Sequence, residues 1–383
     1  MAEPVWVNRC RTYDRKEISA AVAASFDGLV SAQAASGLRG SRVLVKPNLL
    51  GPSLPARAVT THPEFVRSVL EVLKQFTPHI VAGDSPGWGS CAQAAEGSGV
   101  ADVCRELGVA LGSFNDPVEI RHPDGRVCKK FLVAREVAEA DVVINLPKLK
   151  THRLTGLSCA VKNVFGCVPG LRKAQSHVRM QDTGVFSAML VDLCEAVRPA
   201  LTLVDAVVAM EGNGPRWGKP REAGVVIAAV SPYAADVVAS EIAGMDPSEV
   251  TTIAAAAEAG LGPAIAGEID LRGLTLDEAR VRDFKKPSRR GDDRMADSGR
   301  RRPLSAWLKR HLTEIPDIAA ERCRKCSVCV EVCPARAISG AGDGCPPVID
   351  HSLCVRCYCC EEMCPHGAVD VRRPLLSRIM QRF

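Results

Sequence analysis

Eight cysteines near the carboxyl end constrain this chain more than any other feature. Cys323, Cys326, Cys329 and Cys333 are followed by Pro334, and Cys354, Cys357, Cys360 and Cys364 repeat the same spacing before Pro365. Three thiolates at two-residue gaps let one tight loop wrap three corners of an iron–sulfur cubane, with amide N–H groups turned inward against its negative charge. The proline after the fourth cysteine turns the chain away. Zinc favours paired Cys-x-x-Cys sites without a third cysteine at the same gap. Disulfides need an oxidising compartment, and Met1 to Asp14 lacks the apolar core and cleavage site of an export signal. The spacing favours iron–sulfur clusters over both.

The doubled pattern resembles that of bacterial two-cluster ferredoxins. That resemblance implies crossed ligation, the fourth cysteine of each run binding the other cluster. One [4Fe–4S] cluster is then expected on Cys323, Cys326, Cys329 and Cys364, and a second on Cys354, Cys357, Cys360 and Cys333. Cys345 and Cys359 fit no ligand position and read as structural or spare. The seven cysteines outside this segment are scattered without ligand spacing, as small buried hydrophobes are. Cysteine use therefore points to a reducing cytoplasm.

A length of 383 residues leaves room for a larger domain ahead of the cysteines. We expect an α/β domain over 1–281, a basic flexible linker over 282–316 and a small α+β two-cluster ferredoxin-like domain over 317–383. In the linker apolar periodicity gives way to Lys, Arg, Asp, Ser and Gly, and Ser305 to Leu312 reads as a short helix. Aromatics are 4%, so base stacking is disfavoured, and the net charge of +5 suits anionic small molecules or acidic partners. Nucleic acid is not favoured, and Arg300-Arg-Arg302 reads as a solvated basic run. No apolar run reaches membrane-spanning length; Val225 to Ala243 is broken by Pro232, Asp236 and Glu241.

Strand and helix signals alternate along the first domain. Val43-Leu-Val45, Ile80-Val-Ala82, Asp141 to Asn145, Leu201 to Val208 and Val225 to Val230 read as strands, with Ile269 to Leu271 as an edge strand. Between them, Lys16 to Val30, a helix opening at a Thr61–Glu64 capping box, Ala92 to Leu107, Leu154 to Phe165, Phe186 to Val197, Tyr233 to Ala243 and Pro247 to Ala259 read as helices. The expected fold class is α/β, a mostly parallel sheet with helices on both faces.

Ligands of such sheets bind beyond the carboxyl ends of the strands. Those ends carry Lys46-Pro-Asn48, Gly83-Asp84-Ser85, Lys148-Leu-Lys150-Thr-His152 and Glu211-Gly-Asn-Gly214. Lys46, Asn48, Lys148 and Lys150, with Lys162 and Asn163, are candidate binders of a carboxylate or phosphate. Asp84, Glu211 and His152 are candidate acid–base groups. No nucleotide signature is present: G-x-G-x-x-G and G-x-x-x-x-G-K-[ST] are both absent. A further organic cofactor is left open.

Lys46-Pro-Asn48-Leu, Thr61-His62-Pro63, Gly83-Asp84-Ser85, Asn145-Leu-Pro-Lys148-Leu-Lys150-Thr-His152 and Ala160-Val-Lys162-Asn163-Val-Phe-Gly166 together resemble the domain of unknown function family 362. Asp205 to Gly214 and Asp236 to Gly244 fit it as well. Members are often fused to a two-cluster ferredoxin. The resemblance implies architecture and candidate residues, and no substrate. The leading expectation is an iron–sulfur oxidoreductase fed by a redox partner protein and acting on an anionic small molecule. The alternative is a non-catalytic electron carrier or redox-sensing docking module for a partner enzyme.

Overall fold

The computed structural model describes residues 2–31, 37–288, 314–340 and 344–372. The chain divides into two compact units, Met1–Lys173 with Asp182–Pro287 and Ala174–Gln181 with Ser288–Phe383. Most of the expected linker, including the Ser305 to Leu312 helix, lies outside the described residues.

The first unit is built on a ten-stranded sheet. Its main path runs Ile269–Gly273, Glu3–Arg9, Lys219–Ala229, Leu201–Glu211, Val142–Leu146, Val43–Pro47, Ile80–Ala82, Ala110–Leu111. Pairing is parallel from Leu201–Glu211 through Ala110–Leu111, and antiparallel only where Lys219–Ala229 joins its two neighbours and at a small hairpin. Helices cover both faces, as the alternation of Glu3–Arg9 records. Val5 and Val7 enter the core with the Pro232–Ile242 helix. Trp6 points to the other face against the Arg15–Ser31 helix, where a Cβ on Gly28 would lie 2.4 Å from the indole nitrogen. The α/β class with a mostly parallel sheet is therefore as expected, and Ile269–Gly273 is an edge strand.

Several local expectations are corrected. Lys148–His152, expected only as a polar segment beyond a strand end, is a strand that continues beside Leu201–Glu211 and pairs back with Gly156–Ser158. Its lysines are buried, so their polarity masked a strand. The expected helix over Leu154 to Phe165 survives only as Ala160–Asn163 and one 3-10 turn, Val164–Cys167. Gly156 breaks it: φ is +81° and a Cβ there would meet the Glu249 carbonyl oxygen at 2.8 Å. Ala92 to Leu107 is two helices, Cys91–Ser98 and Val100–Leu107, divided at Gly99 with φ +77°. The cap of Pro63–Leu73 is His62, whose Nδ1 accepts from the Glu64 amide, instead of Thr61. Thr61 Oγ1 accepts from Asn48 N and donates to the Leu146 carbonyl.

The second unit carries its sequence repeat into its backbone. Lys325, Ser327 and Arg336 have positive φ, and so do Arg356, Tyr358 and Gly367, each 31 residues later. Each repeat has a short helix, Val328–Glu331 or Cys359–Met363. The first strand of one repeat pairs with the last strand of the other: Ile315–Ile318 with Val369–Arg372, and Val348–Ile349 with Ile338–Ser339. This exchange places the fourth cysteine of each run against the other run.

Candidate functional site

At the carboxyl ends of Val43–Pro47 and Ile80–Ala82, Lys46 and Asp84 form a buried ion pair of 2.8 Å. The second Asp84 oxygen accepts from Leu49 N at 2.6 Å, and Lys46 Nζ also donates to the Pro47 carbonyl. Gly166 crosses directly over the pair; a Cβ there would fall 1.8 Å from Asp84 Oδ1. The pair is therefore sealed by backbone that tolerates no side chain. A buried ammonium and carboxylate in such contact, each with a further hydrogen bond, offset the cost of one another's burial.

Asn48 and Asn163 tie this pair to Lys150. Asn48 Nδ2 donates to Asn163 Oδ1, and Asn163 Nδ2 donates to Asn145 Oδ1 and the Lys46 carbonyl. Lys150 Nζ donates to Asn48 Oδ1 at 2.8 Å and the Val59 carbonyl at 2.7 Å. Neither acceptor is a carboxylate. Burial pushes the Lys150 ammonium well below its ordinary range; Arg216, Lys162 and Lys148 push the same way, and Asp84 opposes them.

Lys148 has a separate set of partners. Its Nζ meets Asp205 at 2.9 Å and the Tyr13 hydroxyl at 2.7 Å, and Tyr13 donates to the other Asp205 oxygen. Burial lowers Lys148, against the pull of Asp205. Tyr13 stacks on His62 with ring centroids 3.5 Å apart, and His62 donates its backbone N–H to Asp205. Burial pulls the His62 imidazole down to about 4. Tyr13, Asp205 and Asn145 were not among the candidate site residues, although Asn145 and Asp205 open stretches that carry the family resemblance. Their partners lie far along the chain, so no local spacing points to them.

The remaining candidates are more scattered. Lys162 lies over the rings of Phe165 and Phe186, 5.4 and 5.9 Å from their centroids. His152 is buried at the end of its strand and accepts at Nδ1 from Leu154 N. Glu211 accepts from Lys285 N at 3.0 Å, while Lys285 O accepts from Gly212 N. That exchange fastens residue 285 at the carboxyl end of Leu201–Glu211. Thus Lys46, Asn48, Asp84, Lys150 and Asn163 are one hydrogen-bonded group, while Lys148 is held by Asp205 and Tyr13 and Glu211 by Lys285 N.

In the second unit the cysteines ring two hollows. One is lined by Cys323, Cys326, Cys329 and Cys364, and the other by Cys333, Cys354, Cys357 and Cys360. Cys359 also borders the second, and Cys345 is exposed. Among the described residues no three His, Cys, Asp or Glu side chains converge on a point suited to a single metal ion. The donor chemistry, four thiols around a space, fits a cubane better than one ion. The Ala337 and Ala368 amides point at Cys333 and Cys364 sulfur, at 3.2 and 3.3 Å, as amides around cluster thiolates do.

A family model described as "Domain of unknown function (DUF362)" matches residues 43–241, and one described as "4Fe-4S binding domain" matches 347–370. The chain is 38% identical over 228 residues to a thylakoid-associated protein of Synechocystis sp., covering 59% of this chain and 70% of that protein. The solved lactate racemase apoprotein of Thermoanaerobacterium thermosaccharolyticum overlaps 60% of this chain and 54% of its own, with a TM-score of 0.39 and 10% identity. Among the described residues no helix is long and apolar enough to cross a membrane.

Proposed function

Because the chain belongs to the DUF362 family of domains of unknown function and carries a 4Fe–4S binding domain, we propose that it is a ferredoxin-linked oxidoreductase whose α/β unit binds an anionic substrate or cofactor. Two [4Fe–4S] clusters, one on each crossed set of four cysteines, supply single electrons received from a redox partner protein. The reading places the protein in the cytoplasm, where its many thiols stay reduced.

The observation that carries the anion is the charge around Lys150. Burial depresses it most, three cationic side chains add to this and one carboxylate opposes them, while that carboxylate, Asp84, is already paired with Lys46. An incoming carboxylate or phosphate offsets this excess and returns Lys150 toward its charged form. Asn48 and Asn163 orient the Lys150 amine, and Lys162 adds a second cation at the wall. Lys148, held by Asp205 and Tyr13, fixes the strand that carries Lys150. Asp84, Glu211 and His152 manage protons during reduction. The Glu211–Lys285 contact fastens the approach to the linker at this end of the sheet.

The test is anaerobic. The dithionite-reduced, fully loaded protein is mixed with a panel of organic anions while cluster absorbance is followed. Re-oxidation by one class of anion, slowed in Lys150→Met, is expected. Full loading with no anion bound or reduced leaves the chain an electron carrier and overturns the proposal.

A further inference from the structure

Lys173 is one of the polar groups the reading above leaves unused. It opens the Arg172–Arg179 helix, and its Nζ donates to Ser85 Oγ at 2.6 Å and to the Val168 carbonyl at 2.8 Å. Ser85 follows Asp84 directly. Its hydroxyl also accepts from Gly170 N at 3.2 Å, and its own N–H donates to the Gly166 carbonyl. Serine and lysine are thus held together by three backbone hydrogen bonds from one loop. Both acceptors of Lys173 are neutral. Two donated hydrogen bonds are all that a neutral amine has to give, which leaves its lone pair directed at neither partner. Lys150 is similarly bonded but fully buried, whereas Lys173 keeps part of its side chain at the surface.

We propose that Lys173 and Ser85 form a carbonyl-capturing site, in which the Lys173 amine takes an aldehyde or keto acid as an imine. The amine nitrogen attacks the carbonyl carbon, forming the C–N bond. The nitrogen then gives up two protons to the former carbonyl oxygen, relayed by the Ser85 hydroxyl. The C–O bond breaks and water leaves; no electrons are gained or lost. The surroundings support this chemistry. Burial brings Lys173 down to about 7, Lys46 and Lys162 press in the same direction, and Asp84 and the Cys167 thiol oppose them. Desolvation beside other cations is one way an enzyme makes a nucleophilic lysine. The same cations suit a carbonyl compound that also carries a carboxylate.

The site stands beside the anion site but does not depend on it, since imine formation needs neither cluster nor electron. The full-length protein is incubated anaerobically with glyoxylate and cyanoborohydride at pH 6 to 9 (an operating range of roughly the window in which such an amine titrates), and carboxymethylated peptides are quantified by mass spectrometry. Lys130 and Lys219, both exposed, serve as internal references in the same sample. At neutral pH we expect Lys173 to be modified about tenfold faster than either, because far more of its amine is unprotonated. Its rate should level off above neutrality while theirs keeps climbing. Ser85→Ala should slow Lys173 alone. Modification of Lys173 no faster than Lys130, or a rate that climbs in parallel with it, overturns the proposal without a variant having to fold. Either result leaves the electron-transfer reading untouched.

Discussion

Lys46 reaches Asp84 across 38 residues of sequence, and Lys148 reaches Asp205 and Tyr13 across 57 and 135. Each cysteine run, by contrast, sets three thiols within one turn-rich loop, and only the fourth cysteine lines the hollow of the other repeat. The two regions also differ in how charge is met. In the α/β unit Lys46 and Lys148 are answered by carboxylates, whereas Lys150 meets only the neutral oxygens of Asn48 and Val59. The cysteines are arranged around a space, for a partner the chain does not supply. A site complete in itself is a scaffold; an unanswered charge or a ring of donors around a hollow is where a ligand belongs.

The largest expected effect lies in the cysteine region. Cys364→Ser should remove a ligand from the hollow ringed by Cys323, Cys326 and Cys329 and leave the set around Cys354 intact. Iron content should fall by about half, with one of two cluster signals lost by electron paramagnetic resonance. Loss from the Cys354 set instead would mean that ligation is not crossed.

In the α/β unit the comparison is between answered and unanswered lysines. Asp205→Asn leaves Lys148 buried without its counter-charge, and should cost about 3–5 kcal/mol in denaturant unfolding. Lys150→Met removes no ion pair but leaves Asn48 Oδ1 and the Val59 carbonyl short of a donor, about 1–3 kcal/mol. Equal costs would show that Lys150 carries a charge that something else answers.

A smaller effect depends on pH. Burial holds His62 near about 4 in the folded protein, against an ordinary 6.5. Between those values the unfolded chain binds more protons, so this contribution to stability is complete above 6.5 and is lost as pH falls toward 4. His62→Asn keeps a capping acceptor and should remove about 1–2 kcal/mol of that dependence, discounted because the ring is partly exposed. Asp236, raised by burial to about 6, runs the other way, its stabilisation falling as pH rises toward 6. It is common to both proteins, so the difference between their pH profiles isolates His62.

The cysteine spacing was legible because a cluster loop is local: the gap between ligands is itself the geometry. The sheet was legible where strands are continuous apolar runs, as at Val43 to Val45 and Val142 to Ile144. It was lost where burial contradicts polarity, as in Lys148–His152, whose lysines read as solvated turn residues. Glu3–Arg9 was missed because it is a strand by virtue of its neighbours, pairing with Lys219–Ala229 on one side and Ile269–Gly273 on the other. At the candidate site, sequence pointed to Lys46, Asn48, Asp84, Lys150 and Asn163, which the fold joins by hydrogen bonds. It gave no site role to Asp205 or Tyr13, whose role exists only once distant strands and loops have met.

The central claim is that electrons reaching the cysteine region are spent on an organic anion held in the α/β unit. The direct measurement is mass spectrometry of what the anaerobically purified protein releases on denaturation, before and after reduction by dithionite. An organic anion should leave the reduced protein heavier by two hydrogens, the product of two electrons and two protons. Release of no anion, or of one whose mass is unchanged by reduction of fully loaded clusters, would contradict it.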